Sequence, residues 1–375
     1  MDAFRGTIVW PAVDPAAGPW LWSARHDRLW IAGLGSLVFA AVFVPLTIAL
    51  PEASPLLVTA FAHLATVCNY PHYAATYQLI WRERGRARAS YGWLLGTTPL
   101  ALGVLVYASV YDRSAIGALN RIYLTWSAYH YAAQHFGIAS MYQARQRRAL
   151  APMEKRLVQA GFVAMAVHLM LLLNMRGGLG GETAFGANAS GWQRALLPAG
   201  AYLWAASAAA LGFAVQGLAE LLHRRRTGAG LAAETRLLFI VNVAWFVVPY
   251  VHLPGGRGPW MGTSVATWLP YAQPFFHCLQ YLAVCGWRAR TAGTIKPVFF
   301  FMGLVVLGLA VFEGTALALR TVTPAVLAQT SLLVPAVVNI HHFVLDGVMW
   351  KARRRPKDAA RPSAPPRESA PRIAA

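Results

Sequence analysis

Ten long apolar runs, separated by short polar loops, constrain this chain more than any other feature: Leu29 to Leu50, Pro55 to Trp81, Trp93 to Tyr111, Ile122 to Tyr142, Leu157 to Met175, Leu196 to Leu222, Leu237 to Leu253, Ser264 to Trp287, Val298 to Leu319 and Val326 to Trp350. At about 1.5 Å of rise per helical residue, each can cross a hydrocarbon layer about 30 Å thick. A bilayer leaves no water for unpaired backbone groups, so such runs are read as helices. The 375 residues are 57% hydrophobic and 13% charged, too apolar for a soluble protein of this length. The expected fold class is all-α: a polytopic integral membrane helix bundle of about ten transmembrane helices.

The basic residues test this reading. Of 33 Lys and Arg, 27 fall in the N-terminal segment, in alternate loops and in the C-terminal tail, and 6 fall in the other loops. The positive-inside bias then places both termini in the cytoplasm, in a bacterial-type inner membrane. The net charge of +19 is thus a matter of topology, with anionic membrane lipids as counter-surface, and nothing in the chain asks for nucleic acid. Three parts follow: a cytoplasmic N-terminal segment over residues 1–28, without the features of a cleaved signal peptide; a transmembrane helical domain over 29–350; and a disordered basic tail over 351–375. Cys68, Cys278 and Cys285 lie inside apolar runs and read as small packing residues. The Gly-rich stretch from Gly177 to Gly181 lacks the Lys and Ser/Thr of a phosphate loop.

Ionisable side chains at membrane depth are costly, and each marks a functional candidate. The second, fourth, eighth and tenth runs each place a histidine between two polar residues seven positions apart: Asn69, His72, Thr76; Ser127, His130, Gln134; Gln273, His277, Gln280; and Asn339, His342, Asp346. At about 100° per residue each triplet is one stripe of a helix face, and stripes of this kind turn toward a shared interior. His341 lies beside the last stripe, and His135 is turned about 140° from His130. His63, on the face opposite His72, is left out, and His168 and His252 read as lone buried histidines.

The predicted metal ligands are therefore His72, His130, His135, His277, His341, His342 and Asp346, with Asn69, Thr76, Ser127, Gln134, Gln273, Gln280 and Asn339 orienting them. Several imidazoles with one carboxylate suit one or two iron ions. The set loosely resembles the membrane histidine-cluster non-haem iron enzymes, the desaturase, hydroxylase and alkane monooxygenase group, whose first box His130-x4-His135 matches in spacing. The later His-x-x-His-His boxes of that group are absent, so the likeness covers residue chemistry and not the chain. It implies an iron-dependent oxidoreductase acting on a lipid-soluble substrate, with electrons from a separate donor protein. Three alternatives stay open. His341-His342-x-x-x-Asp346-Gly347 is similar to the catalytic signature of condensation domains, and His342/Asp346 to that of acyltransferases, where His is the base. The histidines could instead ligate haem b for electron transfer, or relay protons in a transporter.

Overall fold

The structure, a computed structural model, describes residues 18–82, 96, 99–100, 103, 113–174, 201–250, 262–291, 296–322 and 327–349. The third apolar run lies almost wholly outside these residues, as do the Gly-rich loops and the basic tail. Everything regular among the described residues is helical. A short α1 (Ala24–His26) runs into a π-helical turn (Asp27–Ile31) and is followed by α2 (Leu34–Ala49), α3 (Ala53–Arg82), α4 (Arg113–Arg145), α5 (Pro152–Asn174) and α6 (Ala201–Thr227). Then come α7 (Ala233–Phe246), α8 (Gly262–Thr291), α9 (Pro297–Leu309), a second π-helical turn (Ala310–Gly314), α10 (Thr315–Val322) and α11 (Leu327–Met349).

Among the described residues four segments are long and apolar enough to cross a membrane: Pro152–Asn174, Leu203–Thr227, Ala233–Tyr250 and Val298–Ala318. The pair Ala24–Ile31 and Leu34–Ala49 would add a fifth, but it is bent by 53°. The first run, expected to be one helix from Leu29 to Leu50, is therefore broken. Gly33 sits at φ 85°, a left-handed conformation that side-chain-bearing residues resist, and an added Cβ would meet the Val241 side chain at 3.0 Å. Upstream of the break the chain is pinned by Asp27, which is fully buried and accepts hydrogen bonds from the backbone N–H groups of Leu21 (2.6 Å) and Trp22 (3.0 Å) and from the Tyr142 hydroxyl (2.8 Å). Arg145, at the end of α4, donates to the carbonyls of Gly18, Pro19 and Trp20, and the Trp22 indole donates to Ala283 of α8. Residues 18–31 thus clamp the ends of α4 and α8 together.

Packing holds the remaining helices in two groups. A larger apolar core, with Phe162, Met165, Trp245, Phe246 and Trp268 nearly inaccessible, joins α2, α4, α5, α7 and α8. A smaller one joins α3, α8, α9 and α11 through Ala75, Leu79, Cys285, Phe300 and Leu345. Backbones approach closely where glycine removes the Cβ: a Cβ on Gly308 of α9 would come within 2.6 Å of the Tyr70 carbonyl carbon on α3. Gly303, one and a half turns earlier, faces Gln78, so α9 runs antiparallel to α3. The four helices that carry the striped histidines, α3, α4, α8 and α11, pack against one another beside these cores.

Candidate metal centre

Each of these four helices delivers one imidazole to a common point. His72 of α3, His130 of α4, His277 of α8 and His342 of α11 are all buried. Their rings form a closed four-membered arrangement. Ring centroids are 4.5 Å apart for His72 and His342, 5.0 Å for His342 and His130, 4.9 Å for His130 and His277, and 4.9 Å for His277 and His72. Across this ring His72 and His130 are 6.3 Å apart. One nitrogen each from His72, His130 and His342 lie within 4.8 Å of one another, a spacing that a single ion could occupy with small ring rotations.

Among the described residues, Nδ1 and Nε2 of His72, Nε2 of His130, Nδ1 and Nε2 of His277 and Nε2 of His342 are buried without a hydrogen-bond partner. A buried polar atom left without a partner costs about 1–3 kcal/mol, so six of them on four neighbouring rings need a reason. A cation bound among them supplies one, and the donor set suits it: neutral imidazoles are good ligands for iron, zinc or copper.

His342 is held from behind. The Thr76 hydroxyl donates to Asp346 Oδ1 at 2.9 Å and lies 3.0 Å from His342 Nδ1, a contact that orients the ring. The Tyr281 hydroxyl lies 2.6 Å from Thr76 Oγ1 and donates to Asp346 Oδ1 at 3.1 Å. Asp346 Oδ2 is 3.4 Å from His342 Nε2. Thr76→Val is expected to lower metal affinity about 10–100-fold, the usual cost of losing such an outer partner, while Thr76→Ser keeps it; titration with a competing chelator checks both.

Aromatic rings wall the cluster. Tyr281 packs on His72 at 4.3 Å, Tyr131 on His277 at 4.3 Å, Tyr73 on His342 at 4.9 Å and Phe343 on His130 at 4.4 Å. A small cavity opens beyond His277, lined by Tyr131, His135, Trp245, Phe246 and Phe276 among others.

Asp346 stays beside the His342 ring, whereas two other predicted ligands, His135 and His341, bond to groups outside the four rings. His135 is hydrogen-bonded on both nitrogens, to Asn242 Oδ1 and to Gln280 Oε1, each at 3.1 Å. Its 140° offset from His130 carries it to the α7 side. His341 is one residue round the helix from His342 and meets the Tyr77 hydroxyl at 2.7 Å. His63 is exposed, and His168 Nδ1 donates to the Ala205 carbonyl at 2.8 Å; His252 is outside the described residues.

Of the residues predicted to orient the ligands, Thr76 bonds a cluster histidine directly. Gln134 donates to the backbone carbonyl of His277 and to Gln280, Gln273 to the Trp245 carbonyl, Asn339 to the Pro335 carbonyl and Ser127 to the Tyr123 carbonyl. Asn69 is half-buried with an unpartnered Oδ1. The sequence reading missed Tyr281 and Asn242. Tyr281 could have been found, because it follows His277 by four residues and so shares its helix face. No family model, curated protein or solved structure matches the chain.

Proposed function

We propose that the protein is a membrane-embedded metalloenzyme, an iron-dependent oxidoreductase acting on a lipid-soluble substrate. The observation that carries this reading is the packing of four buried imidazole rings together, with one nitrogen each of His72, His130 and His342 within 4.8 Å of one another and no hydrogen-bond partner for them among the described residues. His72, His130, His277 and His342 would hold the metal, with the Thr76–Asp346 pair orienting the His342 ring. Iron bound there supplies oxygen activation against an otherwise unreactive hydrocarbon. The chain's own part is to exclude water with the Tyr73, Tyr131, Tyr281 and Phe343 rings and to keep the ligand set neutral. One ion suits four converging rings better than two, and electrons come from a separate donor protein. The inner-membrane placement, ten crossings and cytoplasmic termini belong to this proposal and rest on the Lys and Arg distribution.

Haem b fits less well, because the mutual ring packing at 4.5–5.0 Å fills the plane a porphyrin needs. The acyltransferase reading keeps one point in its favour, the 3.4 Å approach of His342 to Asp346, but leaves the orphan nitrogens of His72 and His277 without a role. The test is metal analysis by mass spectrometry, with an absorption spectrum, on protein purified in mild detergent from iron-supplied cells. One iron per chain without a Soret band is expected. A Soret band would move the histidines to haem ligation, and a metal-free protein would favour the acyltransferase.

A further inference from the structure

The cavity walled on one side by His277 lies at the junction of α2, α4, α7 and α8. The end of α7 helps to shape it. Residue 249 is proline and has no N–H, so the Trp245 carbonyl loses its helical donor and accepts from the Gln273 side-chain amide instead, at 2.6 Å. Gln273 is thereby held at the end of α7, and aromatic rings from α4, α7 and α8 close the space beside it.

Size is the first limit on what this cavity holds. Its volume is about 20 Å³ for the centre of a water-sized molecule. One water takes up roughly 10–15 Å³ on that measure, so a hydrocarbon chain has no place in it and an occupant of two or three atoms does.

Polarity is the second limit, because the polar walls are engaged with protein. The Ser36 hydroxyl donates to the Gly33 carbonyl and accepts from the Trp245 indole, and Gln273 Nε2 is committed to the Trp245 carbonyl. Both His135 nitrogens bond amide oxygens, and Gln280 Oε1 already faces His135 and Gln134. Tyr131, Val241, Trp245, Phe246 and Phe276 supply a lining that is mainly carbon. A buried water is held by two to four polar partners, and His277 with its unpartnered nitrogens is a poor substitute for that set. A hollow of this kind stays dry and takes up small apolar molecules or noble gases.

We propose that this cavity is a dioxygen-binding site serving the metal centre. The inference deepens the reading of the protein as an iron-dependent oxidoreductase and rests on it. Dioxygen is small and apolar and asks for no hydrogen bond, which is what the lining offers. Its position suits the role: His277 forms part of the wall, and the His277 ring centroid is 4.9 Å from those of His72 and His130. Gas held there is one ring's width from the four-histidine centre, and a lipid-soluble substrate, too large for the cavity, approaches that centre from another side.

Krypton tests the site, since it is apolar, close to dioxygen in size and located directly by its anomalous scattering. Crystals of the protein from iron-supplied cells are pressurised with krypton, and data are collected at the krypton and iron edges. A krypton peak among Val241, Phe246 and His277 is expected. Val241→Ile, which adds one methylene to the wall, should abolish that peak, and Val241→Ala, which adds room, should raise its occupancy. The same crystals show whether each variant keeps its fold. In solution, reoxidation of the reduced iron by dissolved dioxygen, followed by stopped-flow absorbance, should slow several-fold in Val241→Ile and not in Val241→Ala. Absence of krypton from both the parent and Val241→Ala, a water that krypton does not displace, or equal reoxidation rates in the parent and Val241→Ile would overturn the dioxygen site. Iron at the four histidines without krypton in the cavity would leave the oxidoreductase reading standing, and krypton bound to a protein with no iron peak would sink that reading instead.

Discussion

Alanine in place of His342 is expected to abolish stable metal binding, lowering affinity by more than about 100-fold, because removing a ligand should exceed the loss seen when an outer partner is removed. The same is expected of His130→Ala. Both act at the centre of the ring of imidazoles, and each removes a nitrogen that lies within 4.8 Å of the other two in its group. His341→Ala and His135→Ala provide the contrast. Their nitrogens already bond Tyr77, Asn242 and Gln280, so metal content per chain should stay near that of the parent protein. Mass spectrometry on the four purified variants, with circular dichroism to confirm helix content, separates the outcomes. Full metal content in both His130→Ala and His342→Ala would remove the shared centre altogether.

The largest stability effect is expected far from the metal, at Asp27. Its carboxylate is fully buried and satisfies two backbone N–H groups and the Tyr142 hydroxyl. Asp27→Ala leaves three donors unpaired and frees the segment that clamps α4 to α8, a loss of about 3–5 kcal/mol. Asp27→Asn keeps one acceptor oxygen and should cost less. The measurement is thermal unfolding in detergent, where a drop for Asp27→Ala well beyond that for Asp27→Asn is expected. An unchanged midpoint in both would show that the clamp contributes nothing to the fold.

The contrast between the two regions explains what could be read in advance. His72, His130, His277 and His342 stood out because a polar stripe at offsets of three and four is a local, periodic signal, and burial in an apolar run makes each residue conspicuous. His135 and His341 share runs with the four packed rings, but side-chain direction on a helix turns about 100° per residue, and these neighbours one or five positions away bond to other groups.

The amino-acid sequence by itself determined that the chain is helical, which segments are apolar and which four of them carry striped histidines. These properties depend on spacing of 3.6 residues per turn and on the cost of burying polar groups, both of which are local. Tertiary structure decided the rest: that one ring from each of α3, α4, α8 and α11 meets the others, that Tyr281 and Thr76 stand behind His342, and that residues 18–31 fold back under Asp27. Those outcomes depend on the axial offset and rotation of one helix against another. Close-approach glycines, buried ion and hydrogen-bond clamps and core shape set these through contacts hundreds of residues apart, which no repeat along a single helix records.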